Sequence, residues 1–363
     1  MKSKNVQRST LNFQLPKESD AATLDVERWK FPPFPLSMNI TVLGAGAWGT
    51  ALAKLLCESG HAVTLWGHDT AHLDAVRAAG RNERYLPGVA LPAGLQFQPQ
   101  LAEAVHGAGE VMVAVPSRAF REVAGVLTDF RGLAVSVTKG IEHDTGLTMC
   151  GVLKQVAPRA KIAALSGPSL ALEVARGIPT AIVAASTDAG AANLLQSLFH
   201  RPAFRVYTST DPLGVELGGA LKNVIALAAG MGDGLGFGDN AKAALVTRAL
   251  AEMRRLGVAC GAQAETFAGL SGLGDLTVTC FSKLSRNRAF GERLGRGERL
   301  ADLLAGTHHA VEGYPTARSA WQLARKHGVS TPIIEQVHAV LYEGKDVKAA
   351  VRDLTGRESK AED

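Results

Sequence analysis

The chain has 363 residues, of which 46% are hydrophobic and 20% are charged, and it carries a formal net charge of +5. This length and composition are typical of a globular protein with room for two domains and a large core. Because the Lys and Arg residues are scattered and no basic run is interleaved with aromatic residues, we expect no nucleic-acid partner. A mild excess of cations suits an enzyme with anionic ligands.

The cysteines and the apolar segments bear on the compartment. The four cysteines form no C-x-x-C pair and show no zinc-type spacing, so we expect reduced thiols, no metal site and a cytoplasmic protein. No apolar run approaches the length of a membrane span, and the N-terminal region has no apolar segment of the secretory kind. The sequence therefore predicts a protein without a membrane span.

Residues 1–37 differ from the rest of the chain because they are polar and end in a Pro-rich run. We interpret them as a tail that is disordered or lies along the surface. The alternative is an arm that docks on a neighbouring subunit through Trp29, Phe31 and Phe34.

A glycine-rich loop follows the tail. Residues 40–43 form an apolar, β-branched run of strand type, and residues 50–58 favour a helix. Between them Gly44, Gly46 and Gly49 have the spacing G-x-G-x-x-G, which in this strand-to-helix context predicts a dinucleotide-binding turn. The helix N-terminus then offers free N–H groups and its positive dipole end to the pyrophosphate.

Strand and helix patterns alternate beyond this loop. Further strands are predicted at residues 62–66, 110–115, 133–137, 161–165, 180–185 and 204–207, with a helix at 70–79. This alternation predicts an α/β domain at residues 38–210 built on a mainly parallel, doubly wound sheet. Ligands of such sheets lie beyond the carboxyl ends of the strands, which predicts that Pro116, Ser117, Lys139 and the loop at 166–169 face the pocket.

The end of the second strand bears on cofactor choice. Selectivity for NAD usually needs a carboxylate there, but this strand ends at Trp66 and is followed by Gly67, His68 and only then Asp69. His68 would tolerate a 2′-phosphate, which makes NADP use, or dual use, a reasonable prediction. The alternative is that Asp69 turns inward and the site selects NAD.

The strand patterns stop at residue 211, and helices are predicted at 213–229, 240–256, 315–326 and 332–342. Residues 211–363 are therefore predicted to form an all-helical substrate-binding domain, with a frayed end from residue 357. The glycine-rich segment at 230–238 reads as a mobile loop that closes on substrate, or as an ordinary connection between helices.

Lys222 lies on the first of these helices, three residues from Gly219 and six from Glu216 on the same face. A Lys on a mostly apolar helix is either a proton-transfer group or a surface side chain with its ammonium in water. Farther on, residues 269–275 read as a glycine-rich turn that presents Asp275. The run Ser285, Arg286, Asn287 and Arg288 reads as a phosphate clamp or as a helix start capped by Ser285.

Together these stretches resemble one family closely, the bacterial-type NAD(P)-dependent sn-glycerol-3-phosphate dehydrogenases, from about residue 39 to about residue 342. The resemblance rests on the ordered motifs GAGAWGT at 44–50, VPS at 115–117, TKG at 138–140, SGPS at 166–169, ELGGALKN at 216–223, GLGD at 272–275, SRNR at 285–288 and VEG at 311–313. The first motif is shared by many dinucleotide-binding proteins, and the ordered set is specific.

The resemblance implies a role for each matching position. Lys222 would be the catalytic proton acceptor in glycerol 3-phosphate oxidation, and Asp275 would bind a substrate hydroxyl or hold Lys222. The substrate-binding set would be Lys139, Gly167, Ser169, Lys222, Asp275, Ser285, Arg286 and Asn287. The cofactor-binding set would be Gly44, Gly46, Ala47, Trp48, Gly49, His68, Lys139, Ala171, Arg286, Ala310 and Glu312.

The resemblance also implies an activity. The chain would interconvert sn-glycerol 3-phosphate and dihydroxyacetone phosphate with NAD(P)H, NADPH somewhat favoured, supplying glycerol 3-phosphate for phospholipid synthesis as a cytoplasmic homodimer. Two alternatives remain open. One is a dehydrogenase of the same architecture acting on a 3-hydroxy acid or ketopantoate-like substrate, and the other is a dinucleotide sensor without turnover.

Overall fold

An eight-stranded sheet occupies the first half of the chain in the computed structural model, which describes residues 37–306 and 311–358. Its strand order is β3-β2-β1-β4-β5-β6-β7-β8, and all neighbours are parallel except β6 and β7. The strands are β1 Asn39–Leu43, β2 Ala62–Trp66, β3 Gln96–Phe97, β4 Glu110–Val113, β5 Leu133–Ser136, β6 Lys161–Ser166, β7 Thr180–Ala185 and β8 Phe204–Ser209. The predicted doubly wound sheet is confirmed.

Helices connect the strands and cover both faces of the sheet. They are α1 Ala47–Glu58, α2 Thr70–Ala79, α3 Leu101–Val105, α4 Ser117–Ala124, α5 Met149–Val156, α6 Ala171–Ala175 and α7 Ala189–Phe199. Successive strand residues point to opposite faces: Val42 joins one buried cluster and Leu43 the other. Strands β4 and β5 are buried at every position, as expected for parallel strands covered on both sides.

The described chain after β8 is helical. Its helices are α8 Pro212–Gly234, α9 Asp239–Ala259, α10 Asp275–Phe281, α11 Arg286–Gly295, α12 Leu300–Ala305, α13 Gly313–Lys326, α14 Pro332–Tyr342 and α15 Val347–Thr355. Helix α8 is the centre of this part and packs against α9, α10, α11, α13 and α14. Asp211 begins it by accepting a hydrogen bond from the Gly214 N–H at 2.9 Å.

Helix α8 corrects one expectation about apolar length. It is long and apolar enough to cross a membrane by length and composition, although the sequence analysis expected no such run. However, 89% of its apolar window is buried inside the protein, which is the position of a core helix.

The glycine-rich segment at 230–238 is the second correction, because α8 continues through Gly234 and only residues 235–238 link it to α9. A Cβ on Gly230 would lie 2.0 Å from the Arg288 carbonyl oxygen, and one on Gly234 would lie 2.2 Å from that of Glu292. These glycines therefore let α8 and α11 approach backbone to backbone. The prediction of a mobile loop over the whole segment is wrong.

The segment at 269–275 is also helical and not a turn. Leu270–Gly274 forms a π-helical turn that runs into α10, whose first residue is Asp275. Strand β3 was not predicted, because two residues are too short for a period-two pattern. The predicted tail up to residue 36, with Trp29, Phe31 and Phe34, lies outside the described residues.

The α8–α11 contact predicts a large effect of one methyl group. A Cβ on Gly291 of α11 would lie 2.1 Å from the Leu227 carbonyl oxygen of α8, so Gly291→Ala must push the helices apart. We expect it to lower the free energy of unfolding by about 2–3 kcal/mol, measured by urea denaturation. Gly232→Ala is the matched control, because Gly232 also lies inside a helix and a Cβ there meets only the Phe237 ring, at an ordinary contact distance of 3.6 Å. Equal stabilities of the two variants would contradict this packing.

Candidate active site

Two lysines share one buried carboxylate where the sheet meets the helical part. The Lys222 ammonium lies 3.0 Å from Asp275 Oδ1, and the Lys139 ammonium lies 2.6 Å from Asp275 Oδ2. Lys139 follows β5, Lys222 lies on α8, and Asp275 begins α10. The structure therefore joins three residues that are far apart in the sequence, in the region beyond the carboxyl ends of the strands.

The burial of Lys222 decides between the two interpretations of the sequence, a proton-transfer group or a surface side chain. Its side chain is only 9% exposed and that of Asp275 only 1%, so Lys222 is not a surface side chain. Besides Asp275, its ammonium donates to Thr279 Oγ1 at 2.7 Å, and that hydroxyl donates in turn to the Asp275 carbonyl oxygen at 2.6 Å. A buried ammonium with fixed acceptors is arranged to hold or release a proton at one place.

The environment of Lys222 lowers its pKa to about 8. Burial is the main cause, since it disfavours the charged form, and the nearby Lys139 cation acts in the same direction. The Asp275 carboxylate opposes both and keeps the pKa from falling further. An amine with this pKa changes protonation state near neutral pH.

The rate of a reaction that uses Lys222 as base should follow this pKa. For the alcohol oxidation that the sequence resemblance implies, we expect kcat/KM to rise with pH through a limb near 8, because the neutral amine would accept the proton. The reverse carbonyl reduction should fall through the same limb, because it needs the ammonium. In Asp275→Asn the limb should move to lower pH, since the carboxylate that raises the pKa is gone. An unmoved limb would exclude Lys222 as the titrating group.

The loop after β6 lies against this lysine pair. The Gly167 carbonyl oxygen accepts hydrogen bonds from the Lys139 ammonium at 2.8 Å and from the Ser169 hydroxyl at 2.9 Å. Gly167 has φ of +145°, which a residue with a side chain rarely adopts. The hydroxyl of Ser166 is buried beside Gly219 of α8, where an added Cβ would lie 2.6 Å away. The predicted residues Gly167 and Ser169 thus belong to the same site as the two lysines.

The start of α11 supplies the third part of the site. Ser285 caps this helix by accepting from the Arg288 N–H at 3.2 Å, which is the structural role that the sequence left open. The Asn287 amide donates to Asn223 Oδ1 at 2.9 Å, and its carbonyl accepts from the Gly313 N–H at 2.9 Å. Asn287 therefore joins α11 to α8 at Asn223, the residue after Lys222. Through its amide oxygen it also joins α11 to the start of α13.

Arg286 differs from its two neighbours. It is exposed, and among the described residues it forms no hydrogen bond or ion pair. The Glu312 carboxylate is close enough to act on its charge. Arg286 is the first residue of α11, next to Asn287, which anchors this helix to α8. With no hydrogen bond or ion pair to the rest of the described chain, its guanidinium is available for an anionic ligand.

The glycine loop has the geometry of a phosphate site. Gly44 has φ of +126°, and a Cβ on it would lie 2.6 Å from the Ala114 carbonyl oxygen. A Cβ on Gly49 would lie 1.9 Å from the Gly44 carbonyl oxygen, so α1 can pack on the loop only through glycine. A Cβ on Gly46 meets nothing within 4 Å, and no side chain caps the N-terminus of α1. The open space before free N–H groups fits a pyrophosphate.

His68, Ala171 and Glu312 are the other predicted cofactor residues that the structure describes outside the glycine loop and the lysine site. His68 is exposed after β2. Strands β2 and β5 are three strand spacings apart in the sheet, which is about 14 Å. Ala171 begins α6 and, like Trp48, packs against the buried cluster that includes Ala51 of α1. The Glu312 carboxylate accepts from the Ser117 hydroxyl at 2.6 Å and from its N–H at 3.3 Å. Ala310 lies outside the described residues.

Sequence reasoning missed two residues of the site. Thr279 stands one turn after Asp275 on α10, and this i, i+4 spacing was the available signal. Asn82 is fully buried and donates to the Ala45 carbonyl oxygen at 3.0 Å and to Thr50 Oγ1 at 2.9 Å. It fixes the glycine loop from a distant turn, and no local pattern could reveal it.

The chain is similar to known proteins along nearly all of the described length. Residues 39–192 and 211–352 match the family models of the N-terminus and the C-terminus of NAD-dependent glycerol-3-phosphate dehydrogenase. The chain is 50% identical over 331 residues to glycerol-3-phosphate dehydrogenase (NAD(P)+) of Syntrophotalea carbinolica. The aligned region covers 90% of this chain and 99% of that protein. For the protein of the same description from Chlorobium limicola, the identity is 48% with the same coverage. The crystal structure of glycerol-3-phosphate dehydrogenase from Coxiella burnetii has a TM-score of 0.86 at 39% identity and covers 89% of this chain and 100% of that chain.

Proposed function

Since the chain belongs to the NAD-dependent glycerol-3-phosphate dehydrogenase family, we propose roles for its residues in the reaction of that family. The chain is an oxidoreductase that transfers hydride reversibly between sn-glycerol 3-phosphate and dihydroxyacetone phosphate with NAD(P). The observation that carries the proposal is the pair Lys222 and Lys139 on the buried Asp275 carboxylate. The residues at 38–210 would bind the dinucleotide, and those at 211–363 would supply the proton-transfer group and the phosphate clamp.

Lys222 handles the proton of the reacting hydroxyl. In oxidation the C2 hydroxyl loses its proton as C2 loses hydride, and the neutral Lys222 amine accepts that proton. In reduction the developing C2 alkoxide takes the proton back from the Lys222 ammonium. The fixed contacts to Asp275 and Thr279 hold the amine in one orientation in both directions.

Lys139 and Asp275 form the support of this proton-transfer group. Asp275 fixes Lys222 with one oxygen and Lys139 with the other, while Lys139 also holds the Gly167 carbonyl. The Lys139 cation stabilises negative charge on the substrate oxygen in the transition state. Gly167 and Ser169 line the same space and orient the substrate hydroxyls.

The substrate phosphate binds at the start of α11. Arg286 supplies the planar, bidentate donor, and Ser285 and Asn287 supply neutral donors and the helix N-terminus itself. Anchoring the phosphate on α11 places C2 near Lys222 on α8, which converts binding energy into orientation.

The residues that would hold the dinucleotide follow the carboxyl ends of the strands, from His68 after β2 to Lys139 after β5. The nicotinamide of the dinucleotide supplies or accepts the hydride. Gly44, Gly46, Ala47, Trp48 and Gly49 would hold the pyrophosphate through backbone N–H groups. Ala171, Arg286, Ala310 and Glu312 would complete the cofactor contacts toward the nicotinamide end.

The test of this function is a spectrophotometric assay with purified protein. Dihydroxyacetone phosphate is mixed with NADPH, and separately with NADH, and the absorbance of the reduced nicotinamide is followed. Loss of absorbance with either cofactor supports the proposal. Turnover only on a 3-hydroxy acid or ketopantoate-like substrate would favour the related dehydrogenase, whereas tight NADPH binding without turnover on any small carbonyl would favour the sensor.

We also propose that the protein acts in the cytoplasm as a homodimer that supplies glycerol 3-phosphate for phospholipid synthesis. The four free cysteines are consistent with a reducing compartment. The dimer rests on the family resemblance and is tested by sedimentation equilibrium of the full chain, where a monomer mass at micromolar concentration would exclude it.

A further inference from the structure

The turn that contains Arg84 is fixed to the glycine loop. Asn82, two residues earlier, donates to the Ala45 carbonyl oxygen of that loop and to Thr50 Oγ1 of α1. Its own side-chain oxygen and backbone oxygen accept from the Tyr85 and Leu86 N–H groups at 3.3 and 2.7 Å, so the turn is shaped around it. Arg84 is therefore held beside the dinucleotide-binding edge of the sheet.

The carboxyl end of β2 lies at the same place. Gly67 packs so closely on the glycine loop that a Cβ on it would lie 2.9 Å from the Ala45 Cβ. In doubly wound sheets this strand end meets the 2′ position of the adenosine ribose. A carboxylate there favours NAD(H), and an arginine there accepts the 2′-phosphate of NADP(H).

Asp69, the carboxylate at this end, is already engaged. Its Oδ1 accepts from the His72 N–H at 3.0 Å and caps α2, and its Oδ2 faces Arg84 Nη1 at 3.6 Å. Arg84 thus neutralises the charge that would repel a 2′-phosphate. The alternative reading, in which Asp69 turns inward to select NAD, would break the cap of α2.

We propose that Arg84 is a specificity residue of this enzyme that binds the 2′-phosphate of NADPH. The inference rests on the proposed function and names the cofactor preference that it leaves open. The Arg84–Asp69 contact is longer than a hydrogen bond, and the two side chains are 49% and 41% exposed. Such a pair is weak, so a dianionic phosphate can take over the guanidinium.

The surroundings of Arg84 favour an anion. Its guanidinium carbon lies over the Tyr85 ring, 5.1 Å from the ring centroid, a contact that uses the face of the guanidinium and not its N–H donors. His68 is exposed at the strand tip and adds a second donor. Glu83 points elsewhere, since its Oε2 accepts from the Gly88 N–H at 3.2 Å.

The experiment compares NADPH and NADH on wild type and Arg84→Ala, by fluorescence titration of the reduced nicotinamide and by kcat/KM. We expect Arg84→Ala to weaken NADPH binding about tenfold, the value of one lost charge-assisted hydrogen bond, and to leave NADH within about twofold. Adenosine 2′,5′-bisphosphate, a competitor without nicotinamide, should lose affinity with NADPH, and AMP should not.

Two further variants sharpen the test. Arg81→Ala removes the same charge from the same turn, where Arg81 lies 3.7 Å from Glu83, and should leave the cofactor ratio unchanged. Asp69→Asn keeps a good helix cap and removes the carboxylate, so it should raise the preference for NADPH. Tighter NADH than NADPH binding in wild type, an equal loss of both in Arg84→Ala, or the same effect in Arg81→Ala would overturn the proposal. Binding of NADPH without turnover of dihydroxyacetone phosphate would contradict only the proposed function, since the titrations still test Arg84.

Discussion

Replacing Lys222 by Met is expected to lower kcat for dihydroxyacetone phosphate reduction by about 10²- to 10⁴-fold, the usual contribution of a positioned acid or base. Met keeps most of the length and volume of the buried side chain and removes the ammonium. The other contacts of the site remain, because Asp275 keeps its 2.6 Å ion pair with Lys139. The loss should therefore appear in kcat, while NADPH binding by fluorescence titration stays within about threefold.

Lys348→Met is the matched control, because Lys348 is exposed on α15, outside the proposed site. It makes the same change of charge and should retain full activity. The pH profile gives a second check, since the limb near 8 should vanish from the residual activity of Lys222→Met. A kcat within a few-fold of wild type would mean that another group moves the proton.

Replacing Arg286 by Leu should reduce kcat/KM for dihydroxyacetone phosphate by roughly 100-fold, because a phosphate loses its bidentate charged partner. Most of the loss should lie in KM, with a part in kcat where the phosphate serves to orient C2. Since Arg286 forms no hydrogen bond or ion pair among the residues described, the unfolding midpoint in urea should not change. A lower kcat/KM together with an unchanged unfolding midpoint would show that Arg286 contacts a ligand and does not stabilise the fold.

The design includes a substrate that lacks the phosphate. On unphosphorylated dihydroxyacetone at saturating NADPH, wild type and Arg286→Leu should turn over at the same low rate. The substrate phosphate is absent from both reactions, and the saturating cofactor offsets a weaker contact between residue 286 and NADPH. Arg293→Leu, two turns later on α11 and paired with Glu298, is the control and should behave as wild type on both substrates. An equal loss on both substrates would assign Arg286 to the cofactor or to the fold.

Local signals predicted the sheet and the glycine loop well. Strand β2 and helices α2 and α14 have the bounds that the sequence predicts, because Gly67, Gly80 and Pro332 mark their ends. Glycine spacing predicted a phosphate loop, and the structure shows separate steric reasons for Gly44 and Gly49. In these segments the determinants lie within a few residues of the structure they specify.

The features that the sequence could not predict depend on residues that are distant in the chain. Spacing on one helix could not decide whether Lys222 is buried, because the answer lies in Asp275 and Thr279, more than fifty residues away. The many glycines at 230–238 disfavour a helix, yet α8 continues to Gly234. Gly230 and Gly234 allow its backbone to contact α11. Tertiary packing overrides helix propensity at these glycines.

The close approach of α8 and α11 also bears on which substrates fit. Lys222 belongs to one helix and Arg286 begins the other, and their backbones touch at Gly230 and Gly291 while Asn223 and Asn287 bridge them. Main-chain contact thus sets the backbone separation between Lys222, the proposed proton-transfer group, and Arg286, the proposed phosphate ligand. The two helices therefore hold the backbones of Lys222 and Arg286 at a fixed separation. Under the proposed roles, we expect a substrate one carbon longer or shorter than glycerol phosphate to fit this pair of helices less well and to have a lower kcat/KM.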